Sequence, residues 1–111
     1  MGAKAYNRYV VTAQLMFLAE RLRCLQGIEH NGEYPDGYGG VYFRFRQGVS
    51  LTSWGEDIEV HLYPCNDVQT VVDIVSKCSL PTQIVDWGKN SENINRILGC
   101  IFQGLMYQKV M

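Results

Sequence analysis

Residues able to do chemistry are few in this chain and widely spaced. Its four cysteines stand at 24, 65, 78 and 100, and its two histidines at 30 and 61. No CxxC pair arises, so a zinc knuckle is not expected and no metal is called for. Cys24 and Cys100 fall on apolar helical faces, where a thiol behaves as a small hydrophobe. His61 alternates with Glu59 and Asp57 along one strand face, which reads as a solvated histidine among charges. A nucleophilic reading would pair His61 with Cys65 or Cys78, yet no orienting third residue stands at a telling spacing. An enzyme of unfamiliar type would have to use Cys78, His61 or Asp86.

The motifs GxxxxGK[ST], GxGxxG, GxSxG and HExxH are all missing. Nucleotide, dinucleotide, elbow-serine and zincin readings therefore have no motif behind them, and no cofactor is expected. Asp57 and Glu59 on one strand, and Asp73 on a neighbour, can face Arg44 and Arg46. Opposite charges across strands ordinarily form a surface ladder of a few tenths of a kcal/mol per pair. A nucleic-acid surface would need Tyr42, Arg44 and Arg46 displayed with stacking partners, and the same carboxylates would repel phosphates. With 10 Lys plus Arg against 11 Asp plus Glu, the net charge of −1 gives no phosphate-binding field.

Trp54 and Trp87 each precede a glycine, an arrangement suited to a large ring packing where the backbone must bend. Asp86 can accept backbone N–H bonds in its turn, and Gly88-Lys89-Asn90 sets a flexible residue, a cation and a cap before a helix. The plain reading is a clamp joining strand edge to helix start. The sharper one is an anion site, in which Lys89 and the free N–H groups of the helix hold a phosphate or carboxylate. Trp54, Trp87, Lys89 and Asn90 are thus the candidate ligand-binding residues.

These groups need a scaffold, and the periodicity supplies one. Residues 6–11 read as an edge strand, with Thr12 as a helix cap. Leu15, Leu18, Leu22 and Leu25 then recur at helical spacing up to Gly27, with Arg21 and Arg23 near the negative end of the dipole. Residues 28–34 can form a strand, and Pro35-Asp36-Gly37-Tyr38-Gly39-Gly40 marks a tight connection. Val41, Phe43 and Phe45 alternate with Tyr42, Arg44 and Arg46. Ile58, Val60 and Leu62 alternate with Asp57, Glu59, His61 and Tyr63. Along residues 69–78, Thr70, Val72, Ile74 and Ser76 share one face. Pro64-Cys65-Asn66-Asp67 joins the last two strands into an antiparallel hairpin. Ile94, Ile97, Leu98, Ile101, Phe102 and Leu105 fall on one stripe of a closing helix, capped by Asn90 or Ser91.

The expectation is one α+β domain over residues 1–111, ordered β-α-β-β-β-β-α: a curved antiparallel sheet with two helices packed on one face. At 47% hydrophobic and 19% charged residues, a chain of this size can bury about two-thirds of its surface without disulfides. The order resembles TATA-binding-protein-like and helix-grip topologies, a likeness that carries no activity. The stretch Ser50-Leu51-Thr52-Ser53-Trp54-Gly55-Glu56, with Leu80-Pro81-Thr82-Gln83 and Asp86-Trp87-Gly88-Lys89-Asn90, resembles the motifs of a group of small bacterial α+β proteins without assigned chemistry. That resemblance implies a bacterial origin and this fold class.

Neither an export signal nor a membrane span is expected, because Asn7, Arg8 and Gln14 interrupt the opening and no window approaches ~20 apolar residues. Reduced thiols fit a cytoplasmic protein. The functional expectation is a non-enzymatic module binding a small apolar or anionic ligand or a protein. The ligand would enter a cleft between layers walled by Phe43, Phe45, Trp54, Leu62, Phe102 and Met106. A homodimer through a strand edge, or through Tyr107 and Met111, is a further expectation.

Overall fold

A computed structural model describes residues 4–47, 55–78 and 89–111, and the side chains of these except 4, 78 and 89–93. Trp54, Asp86 and Trp87 lie outside the described residues. Strand β1 (Lys4–Val11) leads to helix α1 (Leu15–Arg23). Strands β2 (Glu29–Pro35), β3 (Val41–Gln47), β4 (Glu56–Pro64) and β5 (Thr70–Cys78) follow, then helix α2 (Lys89–Ile101) and a short strand β6 (Tyr107–Lys109). All six strands join one antiparallel sheet in the order β2-β3-β4-β5-β1-β6.

Alternation decides which side of the sheet is dry. Phe43, Phe45, Ile58, Val60, Leu62, Val72 and Ile74 are buried, together with Tyr9 and Val11 of β1. They share one cluster with Leu18, Ala19 and Leu22 of α1 and with Ile94, Ile97, Leu98 and Ile101 of α2, so both helices cover the same face. Thr70 is buried on that face and keeps its hydroxyl satisfied by donating to the Ala13 carbonyl at 2.8 Å. Among the described residues the opposite face carries no helix.

Several expectations give way here. Strand β1 is interior, flanked by β5 and β6, because Tyr107–Lys109 adds a strand that the helical stripe had hidden. Leu105 continues that stripe in phase, yet α2 ends at Ile101 and Gly104 turns the chain with φ +75°, a left-handed conformation that glycine adopts without strain. Tyr107 then packs edge-on against Tyr9, with ring centroids 6.0 Å apart. Thr12 caps nothing: Gln14 holds the N-cap of α1 without a side-chain bond, and the Thr12 N–H donates to the Met106 carbonyl. Asn90 and Ser91, expected to cap α2, lie within its described span, and their side chains lie outside those described. Cys24 and Cys100 are exposed rather than lodged in apolar faces. Of the expected cleft walls, Phe43, Phe45, Leu62 and Phe102 are close-packed core, while Met106 is exposed.

Arg21 and Arg23 serve more than the dipole of their own helix. Arg21 donates from Nη1 to the carbonyls of Ile101 at 3.1 Å and Gln103 at 2.7 Å, closing the C-terminal end of α2. Arg23 forks onto Glu33 of β2 and also meets Glu20. Arg21→Met keeps the aliphatic stem but removes the donors. It should lower unfolding free energy by about 1 kcal/mol, with Arg21→Lys between it and the parent, as measured by urea unfolding.

Candidate functional site

The helix-free face is built from cross-strand rows. Register places Tyr34, Tyr42, His61, Asp73 and Arg8 in one line across five strands. The next row sets Arg44 beside Glu59 and Val75, and the one after sets Arg46 beside Asp57 and Lys77. The expected charge ladder is present in part, with one change of partner, and Arg46 and Asp57 face each other in register only. Arg44 meets Glu59 at 3.2 Å, but Asp73 pairs with Arg8 of β1 through two bonds of 2.7 and 3.0 Å. That fork raises the already high pKa of the Arg8 guanidinium further.

In the first row the histidine is held from several sides. An ionised carboxylate only accepts, so the His61 Nε2–H donates to Asp36 Oδ2 at 2.7 Å. The ring of Tyr42 stacks on His61 at 4.0 Å with 19° between planes, and Tyr63 lies tilted against the same imidazole at 4.8 Å. Asp36 is itself fixed, because Oδ1 accepts the N–H groups of Tyr38 and Gly40 at 2.7 and 2.9 Å. The orienting residue absent from the sequence reading is therefore Asp36, 25 positions away and delivered by the β2–β3 turn. Among the described contacts none joins Cys65 to this pair, and the side chain of Cys78 lies outside those described.

The His61 bond, then the Tyr38 N–H, hold the Asp36 carboxyl below the ordinary carboxylate value of 3.8. A group whose folded pKa is depressed contributes fully above its unfolded pKa and loses that contribution as pH falls through the folded one. Stability measured by urea unfolding should therefore be flat in this contribution above about pH 5 and fall below about pH 4. Asp36→Asn should flatten that acid slope. Glu33, lowered in the same direction by Arg23, keeps part of it.

Beside the aromatic row lies a cleft of about 270 Å³, floored by β3, β4 and β5 and not enclosed between sheet and helices. Arg44, Asp57, Glu59, Val75 and Lys77 line it, and Asn31 enters from β2. The ladder of β2 and β3 slips between His30 and Gly32, leaving Asn31 as the extra residue. Gly32 permits this with φ +146°, which L side chains rarely adopt. The Asn-Gly pair inside an apparent strand was the available signal for such a bulge.

Of the residues expected to bind a ligand, Lys89 and Asn90 stand at the start of the described span of α2 with side chains outside those described, and Trp54 and Trp87 lie outside the described residues. Among the described residues no group of three His, Cys, Asp or Glu side chains converges on a metal-binding geometry. No helix there is long and apolar enough to cross a membrane. No protein-family model matches this chain, and no curated protein matches it in sequence.

Proposed function

We propose that this protein is a non-enzymatic binding module that takes a small polar ligand in the cleft on the helix-free face of its sheet. One observation carries the reading: a concavity of about 270 Å³ whose side chains bring two cations, two carboxylates and an amide to one place. Recognition sites concentrate a few convergent polar groups in this way, and this volume sits just below the usual range for drug-sized ligands. The aromatic row beside it is not a base-stacking platform, since Tyr42 and His61 already use their ring faces on each other. That supports the absence of a nucleic-acid partner. Strand β2 is exposed along its length but bulged and acidic, devices that blunt an edge against pairing, so a small ligand is favoured over a second copy.

The test is a fragment titration of ¹⁵N-labelled protein. Shifts should cluster on the amides of residues 44, 57, 59, 75 and 77. A set of several hundred polar fragments that moves none of them, or moves only residues elsewhere, overturns the reading.

A second reading, an enzyme of unfamiliar type using Cys78, His61 or Asp86, gains from one observation: His61 is oriented by Asp36 as a catalytic imidazole is. It predicts that His61→Gln abolishes any turnover found in a broad substrate screen. Helix-grip or TATA-binding-protein-like topology is likewise our reading. It is supported by two helices on one side of an antiparallel sheet, with β6 as a departure. Bacterial origin and a cytoplasmic setting rest on the motif resemblance and on the free thiols of Cys24, Cys65 and Cys100.

A further inference from the structure

Resting on the reading that this cleft binds a ligand, we infer that the ligand is a free α-amino acid with an apolar side chain, bound as its zwitterion. The charge layout carries this. Arg44 and Arg46 stand on β3, Glu59 and Asp57 directly across from them on β4, and Val75 and Lys77 across again on β5. The cleft therefore presents a column of carboxylates between cationic neighbours, with adjacent columns about 4.8 Å apart.

A singly charged anion seated on Arg44 would face Glu59, and a singly charged cation seated between Asp57 and Glu59 would face Arg44 and Lys77. Like charges brought together at a binding site reject a ligand. A molecule with ammonium and carboxylate on one carbon can set the first over the β4 column and the second toward Arg44 or Lys77, and so satisfies both. Exchange of the existing pair is cheap, because Arg44 and Glu59 are 59% and 40% exposed and a solvated ion pair contributes little. The Asn31 amide can donate and accept at the rim. Val75, uncharged and level with Glu59, offers the apolar contact for the side chain. A volume of about 270 Å³ suits a ligand of residue size.

The experiment titrates the full labelled chain at pH 7 with L-leucine, N-acetyl-L-leucine and L-leucinamide, following the amides of residues 44, 57, 59, 75 and 77. Leucine should give a saturable response, and each capped form should bind roughly tenfold more weakly. Arg44→Gln should remove the advantage of leucine over leucinamide, and Glu59→Gln its advantage over N-acetyl-leucine. Equal response to leucine and to either capped form overturns the inference in favour of a singly charged ligand. No response to leucine, with fragments still moving these amides, overturns the inference and leaves the binding reading standing. Silence from leucine and from the fragment set overturns both.

Discussion

Phe45→Ala should lower the unfolding free energy by about 3–5 kcal/mol, a large share of the roughly 5–15 kcal/mol that holds a domain of this size together. Phe45 is 2% exposed, lies opposite Ile58 in the β3–β4 ladder, and meets His30 edge-on with ring centroids 5.0 Å apart. Removing the ring leaves a cavity that a sheet pinned on both sides by ladder bonds can only partly close. Phe45→Leu, which keeps most of the apolar volume, should lose much less. Urea unfolding followed by far-ultraviolet circular dichroism measures both. A loss below about 1 kcal/mol for the alanine variant would mean that Phe45 is not packed as described. The same variant bears on function, because Phe45 lines the cleft together with Ile58 beneath its charged floor. A softened floor should weaken ligand response as well as stability.

What was legible in the sequence followed from period. Strict alternation through Val41, Phe43 and Phe45, and again through Ile58, Val60 and Leu62, identifies both strands and their dry side, and the described burial agrees except at Val41, which is half-buried like its neighbour Tyr42. Period alone could not say which strands are neighbours. It placed β1 at an edge because β6 is only three residues long and follows a helical stripe that stays in phase past the true end of α2. Short strands added at an edge leave almost no periodic trace, and Gly104 marked the break only through its freedom at positive φ.

The candidate site was legible in parts and unreadable as a whole. Alternation sets Tyr42, Arg44, Asp57, Glu59 and His61 on the wet face, which is where they stand. Their partners came from elements whose register a single sequence does not fix. Asp36 arrives from a turn, Arg8 from a strand 65 positions before Asp73, and Asn31 from a bulge. A turn aspartate reads as a local Asx bond, and Asp36 does make that bond to Tyr38. Its second oxygen reaches β4 only because the hairpin folds back over the sheet.

Gly40→Ala tests that hairpin most severely. A Cβ at position 40 would lie 2.3 Å from Asp36 Oδ2 and 2.5 Å from the Leu62 carbonyl oxygen, distances that real Cβ atoms do not show. Side-chain rotation of Asp36 can relieve the first contact, at the cost of its bonds to His61, Tyr38 and Gly40 itself. It cannot relieve the second, which is backbone of the adjacent strand. The expected loss is about 3 kcal/mol, most of it overpacking of β3 against the backbone of β4. Asp36→Ala alone should cost less, since it deletes the bonds without moving β3 against β4. The double variant decides how the strain is shared. If Asp36 were the whole obstacle, Gly40→Ala in the Asp36→Ala background would cost nothing further. The Leu62 contact predicts that at least about 1 kcal/mol of the Gly40→Ala penalty survives there, together with displaced amide resonances at residues 61 and 62. Because the His61 Nε2–H loses its Asp36 acceptor, the histidine should also lose its fixed orientation in either variant. Its ring-proton signals should then broaden or shift toward those of an unrestrained imidazole, while those of His30, held by the Leu25 carbonyl at 2.8 Å, stay where they are.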